Sequence, residues 1–165
     1  MSTPIWVCGE VLIDLIPDKD AVGQKQAIVG GGPANTAKAL ARLGFDSYFI
    51  GGISSDTYGQ QCRADLLKGG VKLDFSHNSD LPTATADVSL DETGSARYIF
   101  KIANTATFDF SPTWLPKPVP MDPAVLYIGT LATIIEPGAT ILHEWASTVA
   151  QFAPIVFDPN VRPSV

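Results

Sequence analysis

Short apolar runs alternate with helical stretches along this chain, and that alternation restricts its fold more than any other feature. Residues 5–8, 11–16, 47–50, 125–128 and 155–157 are dominated by Val, Ile, Leu and aromatic side chains. Between them Ala37, Leu40 and Ala41, and later Ile141, Trp145, Val149 and Phe152, recur every third or fourth residue, the period of a helix with one apolar face. Continuous apolar strands separated by one-faced helices predict a parallel α/β sheet covered by helices. With 165 residues there is material for one domain, or one with a small appendage.

The break between the second strand and the first helix is Gly30-Gly31-Gly32-Pro33-Ala34-Asn35. Pro33 suits a first helical position, and Gly44 suits the place just past the helix end. Asp56 is a cap for a second helix closed by Gly69-Gly70. Residues 84–90 and 97–102 each alternate apolar with polar around the turn Asp91-Glu92-Thr93-Gly94, which predicts a hairpin with one wet face, projecting as a lid. Five prolines between residues 111 and 123 predict an extended linker.

Composition excludes more than it selects. The net charge is −6 and no Lys/Arg run exists, so nucleic acid and anionic membranes are poor partners. No stretch approaches the ~18 apolar residues of a membrane span, and the N-terminus has no basic leader, so a cytoplasmic protein is expected. Cys8 and Cys62 stand apart from each other and from any His/Cys cluster; they are expected to be reduced, buried thiols. His77 reads as a solvated loop residue, His143 as a surface residue, and the three tryptophans as packing residues.

Three places carry chemistry. Three successive glycines let backbone amides approach a ligand closely, and the following helix turns its positive end toward them. Asn35 adds a donor and an acceptor, which suits sugar hydroxyls. A bare strand–helix turn is the bland alternative. A dinucleotide fingerprint is disfavoured: its third glycine position is Asn35, and no acid ends the next strand. Asp14 interrupts Val11-Leu12-Ile13-Asp14-Leu15-Ile16; a carboxylate there either faces solvent or meets hydroxyls. Finally Asp158-Pro159-Asn160-Val161-Arg162 follows an apolar strand, where open α/β sheets bind ligands. Asp158 and Asn160 suit phosphate, Mg²⁺ or water, and Arg162 an anionic or hydroxylated group.

Taken in order, Gly9-Glu10…Asp14, Gly30-Gly31-x-Pro33-x-Asn35-x-Ala37, Gly44, Asp56-x-x-Gly59 and Asp158-Pro159-Asn160-x-Arg162 resemble the motifs of ribokinase/PfkB carbohydrate kinases, with the fructokinase and 2-keto-3-deoxygluconate kinase branch nearest. The resemblance implies a ribokinase-like parallel-sheet sandwich with a small projecting β lid, built from strands around 11–28 and 84–102. It implies transfer of a phosphoryl group from ATP, with Mg²⁺ and optionally a monovalent cation, to a small-molecule sugar, and pairing of two copies through the lid. Asp14, Gly31, Gly32, Asn35, Phe100, Lys101 and Arg162 would contact the sugar, and Asp158 and Asn160 the phosphate side. The pattern departs at Ser54, where the family has glycine, at Ile102-Ala103-Asn104, where fructokinases often carry arginine, and near Thr107, where they often carry aspartate. These leave the sugar open. The family's second signature, D-T-x-G-A-G-D, whose last aspartate is the general base, does not occur, so residues 1–165 are expected to be the N-terminal half, without the ATP-binding half and inactive alone. A nucleoside kinase and a non-catalytic sugar-binding module are the alternatives.

Overall fold

The computed structural model describes residues 4–18, 20–21, 23–90, 96–118, 123–129 and 131–160. Its main sheet is parallel and contains β1 (Ile5–Cys8), β4 (Ser47–Ile50), β9 (Val125–Gly129) and β10 (Ile155–Asp158), in the order β10-β9-β1-β4. The register is direct: Ile5, Trp6, Val7 and Cys8 face Ser47 to Ile50 on one side and Val125 to Ile128 on the other.

Both faces of this sheet are covered, which is why β1 is apolar at every position. Ile5 and Val7 join Phe49 and pack against Ala34 and Ala37 of α1 (Gly32–Arg42) and Cys62 and Leu66 of α2 (Thr57–Lys68). Trp6 and Cys8 point the other way, with Ile50, Leu126 and Ile128, onto Leu142, Ala146 and Val149 of α3 (Gly138–Val149). Burying each large aliphatic side chain there contributes roughly 1.5–3 kcal/mol before entropy is charged. The tryptophans pack as expected: Trp6 stacks on Trp145 with centroids 6.0 Å apart. Phe152, placed on the α3 pattern by its spacing, lies beyond that helix and is half exposed.

A second sheet runs β3-β2-β7-β8, from β2 (Leu12–Pro17), β3 (Lys25–Gly30), β7 (Thr85–Leu90) and β8 (Ala96–Lys101). β7 and β8 are antiparallel, but they do not form a free hairpin; β7 is annexed in parallel to β2. One face, carrying Ile13, Leu15, Ala27 and Val29, packs into the α1/α2 core. Gln61 of α2 donates a side-chain hydrogen bond of 2.8 Å to the Ala27 carbonyl. The opposite face is open only in part, since Leu12, Ala86 and Val88 on it are buried.

Two expectations need correction, and one small sheet was not foreseen. Gly52–Ser54 and His77–Ser79 form a two-stranded parallel sheet, β5 and β6, which glycines and polar residues concealed. His77 is therefore not a solvated loop residue; it is half-buried, and its ring stacks on Trp114 at 5.1 Å. The proline-rich stretch has no helix or strand from 111 to 118, in keeping with a linker, but it is packed rather than extended: Leu115 is buried in the α3 core and the Pro116 carbonyl accepts the Trp145 Nε1–H; residues 119–122 lie outside the described residues. Among the described residues no helix is long and apolar enough to cross a membrane.

Candidate functional site

The open face of the second sheet is set by register. Ile28, Asp14, Ala86 and Phe100 form one row across all four strands. Paired residues share a face, so the Phe100 ring and the Asp14 carboxylate look the same way, two strands apart or about 10 Å. Leu12 and Ala84 floor this face, with Phe100 and Ile102 packed on them. Lys101 takes the neighbouring row, Val29-Ile13-Thr85-Lys101, and is exposed on the other side. The structure thus brings Phe100 toward Asp14 but not Lys101.

Asp14 is half-buried, and desolvation raises its pKa above the usual carboxylate range. Among the described residues no partner hydrogen-bonds its carboxylate. Such a group is costly unless something else supplies donors. Its Oδ2 lies against Gly30, where an added Cβ would sit only 2.3 Å away. Gly30 is thus glycine for space. Gly31 is glycine for conformation: its φ is +109°, and a Cβ would meet the Glu10 carbonyl oxygen at 2.5 Å.

Gly31 precedes α1 and gives it no side-chain cap. Glu10 lies beside that end. This residue, two beyond β1, is 6% exposed, and its Oε1 lies 3.6 Å from where a Cβ on Gly32 would sit. Burial, together with the nearby Asp158 charge, raises the Glu10 pKa, while the N–H groups of Gly32 and of Glu10 itself oppose the rise. Sequence reasoning assigned Glu10 no role, although it breaks the apolar pattern just as Asp14 does.

Asn35 is exposed in the first turn of α1, and its N–H donates to the Gly31 carbonyl at 3.0 Å. Asp158 and Asn160 sit at the end of β10. The Asn160 N–H donates to Asp158 Oδ1 at 2.9 Å, and Asn160 is held at φ +39°. The Tyr127 hydroxyl donates to Asp158 Oδ2 at 3.2 Å. Arg162 lies outside the described residues. Among those described, no group of three His, Cys, Asp or Glu gathers into a metal cage. Asp158 and Asn160 offer oxygens of the kind Mg²⁺ accepts when phosphates and water complete its shell, so they fit one side of a metal–nucleotide and no more.

The family model described as pfkB family carbohydrate kinase matches residues 2–165. Fructokinase of Escherichia coli is 31% identical over 164 residues, which is 98% of this chain and 52% of that protein. Fructokinase of Xylella fastidiosa, solved with bound ATP, superposes with a TM-score of 0.89 at 26% identity, covering 99% of this chain and 51% of that one. A fructokinase double mutant from Vibrio cholerae, solved with fructose, ADP and a potassium ion, gives a TM-score of 0.83 at 25% identity over 99% of this chain and 52% of that one. The chain spans about half the length of the relatives it matches.

Proposed function

The chain belongs to the pfkB family of carbohydrate kinases, and on that premise we propose that the protein transfers the γ-phosphoryl group of ATP to a hydroxyl of a sugar, with fructose or 2-keto-3-deoxygluconate as the class of acceptor. The observation that carries the sugar reading is Asp14: a half-buried carboxylate with no donor among the described residues, beside the glycine loop that opens α1. Two acceptor oxygens in that setting match a pair of sugar hydroxyls. Asn35 supplies a mixed donor and acceptor, and Phe100 a ring for the apolar side of the sugar.

Asp158 and Asn160 would face the nucleotide's phosphates with Mg²⁺, which neutralises charge during phosphoryl transfer. The fructokinase from Vibrio cholerae with fructose, ADP and potassium bound supports the sugar and the nucleotide, and leaves room for a monovalent cation. The catalytic base is assigned by resemblance to a segment outside this sequence, so the chemistry belongs to the protein at its full natural length. The second sheet would act as the lid that excludes water once the sugar is seated. Among the described residues no strand pairs the outer edges of β3 and β8, where Ile28 and Ile99 are exposed, and pairing of two copies there belongs to the same proposal. Sedimentation of the full-length protein as a monomer at micromolar concentration would remove that part.

ADP release by the full-length protein, followed against a panel of sugars and nucleosides, tests the activity. Sugar-dependent release at millimolar acceptor is expected. Release with nucleosides alone would move the protein to the nucleoside kinase reading, and release with neither would defeat both.

A further inference from the structure

We infer that Thr107 is a positioning residue: its buried hydroxyl pins the point at which the chain crosses from the first sheet into the second, and so fixes Asp14 relative to the glycine turn before α1. The hydroxyl donates to the Val11 carbonyl at 2.6 Å, across 96 residues of sequence, and Thr107 is 1% exposed. Val11 is the residue before β2, and Asp14 follows on that strand. The same stretch of backbone supports the glycine turn. A Cβ on Gly31 would meet the Glu10 carbonyl oxygen at 2.5 Å and the Val11 Cα at 3.1 Å. Thr107 thus holds the backbone on which Gly31 rests and from which the chain runs into Asp14.

A pin must itself be held, and this one is. Thr107 is the middle residue of the 3-10 turn Ala106–Phe108, all three of whose residues are buried. The Ala106 carbonyl is pressed against Gly52 of β5, where a Cβ would lie 1.8 Å away, and the Phe108 carbonyl against Gly138 of α3, where a Cβ would lie 2.4 Å away. The Ala106 N–H donates to the Pro82 carbonyl at 2.9 Å, just ahead of β7. The turn also continues β8: residues 102–105 join the two, and the Thr105 hydroxyl closes that link by donating to the Ile102 carbonyl at 2.8 Å. The strand that bears Asp14 and the strand that bears Phe100 are therefore anchored to one lodged turn. Packing alone would accept a valine at a site this buried; a hydroxyl aimed at a carbonyl so distant in sequence fixes direction as well as distance. The significance given to Asp14 rests on the sugar reading above, but the pin itself does not.

The test uses Thr107→Val, Thr107→Ser and Ser76→Ala in the full-length protein. Valine removes the hydroxyl at nearly constant volume, and serine keeps it. Ser76→Ala removes a bond of the same kind, to the Phe49 carbonyl at 2.9 Å, that does not involve β2. In steady-state assays the KM for the sugar should rise about fivefold in Thr107→Val, the size of one lost neutral hydrogen bond, with the KM for ATP within about twofold. Thr107→Ser should restore the sugar KM, and Ser76→Ala should lower the denaturant midpoint without moving either KM. Without ligand, amide hydrogen exchange over residues 11–14 should rise about tenfold in Thr107→Val and stay unchanged in Ser76→Ala. A sugar KM unmoved in Thr107→Val, or raised equally in Thr107→Ser, overturns the inference. So does exchange over residues 11–14 no faster in Thr107→Val than in Ser76→Ala. If Thr107→Val does not fold, Thr107→Ala set against Thr107→Ser isolates the hydroxyl instead. Absence of sugar turnover by the unmodified protein defeats the functional reading, while the exchange comparison still decides this one.

Discussion

Asp14 and Gly30 act as a pair, and the pairing yields a prediction. Replacing Gly30 with alanine places a methyl group 2.3 Å from Asp14 Oδ2, so the carboxylate must turn away. Sugar affinity should fall at least about tenfold in a calorimetric titration, the order of one or two charge-assisted hydrogen bonds. Asp14 also sets a pH dependence. Desolvation raises its folded-state pKa, so binding should be intact above that value and lost as pH falls through it, when the protonated acid surrenders an acceptor. The fold does not suffer with it: protonating a desolvated carboxylate relieves a penalty, so Asp14 itself favours the folded state more at lower pH. Affinity constant from neutral pH down through the carboxylate range would contradict this. The thiols give a simpler check. Burial pushes the Cys62 pKa up to about 12 and raises Cys8 further, so neither should react with a disulfide reagent at mildly alkaline pH before unfolding. Asp14 was legible in the sequence because a carboxylate in an apolar run demands a reason. Glu10 obeyed the same rule but sat beside a glycine, where a charge looks unremarkable.

At the level of elements, Asp56 shows how one side chain ties two of them. It caps α2 by accepting the Gly59 N–H at 2.7 Å, and it also accepts the N–H and hydroxyl of Thr83, the residue leading into β7. Burial by itself would raise its pKa, but these bonds from Thr83 and Gly59, with Ser54, outweigh burial and hold it below the usual range. The stability Asp56 contributes is therefore present above the ordinary carboxylate pKa and lost as pH falls through the lowered value. Asp56→Ala should cost about 1 kcal/mol as a lost cap, with the orphaned Thr83 donors adding to it, read as a shift in denaturant midpoint. No measurable shift would contradict the double role. The cap was legible because its signal is local. The pairing of β5 with β6 was not: Gly52 reads as a break, yet it is glycine because a Cβ there would lie 1.8 Å from the Ala106 carbonyl oxygen. Close approach and chain reversal leave the same letter. The row that unites Asp14 with Phe100 was equally hidden, since hairpin alternation says which residues share a face but not which strand the hairpin joins.

For the molecule as a whole, the parallel sheet ends on β10, whose Ile155, Val156 and Phe157 are 36%, 50% and 50% exposed, beside a half-exposed Phe152. An apolar edge strand of this kind is a surface that ordinarily finds a partner. Residues 1–165 produced alone should bind a hydrophobic dye well above a compact control, and binding no higher than the control would show that this edge is covered some other way. The α/β class was legible because buried strands and one-faced helices obey different periods. The proposed division of the site into a sugar side on the second sheet and a phosphate side at the ends of the first comes only from the family motifs, because it depends on contacts far apart in the chain. The central claim is that Asp14 is the anchor of a sugar seat, and isothermal titration of fructose and 2-keto-3-deoxygluconate into the full-length protein and its Asp14→Asn variant addresses it most directly. Saturable binding of at least one sugar, weakened about a hundredfold or more by Asp14→Asn at unchanged thermal midpoint, is the predicted result; equal affinity in the two proteins, or no sugar bound by either, would contradict it.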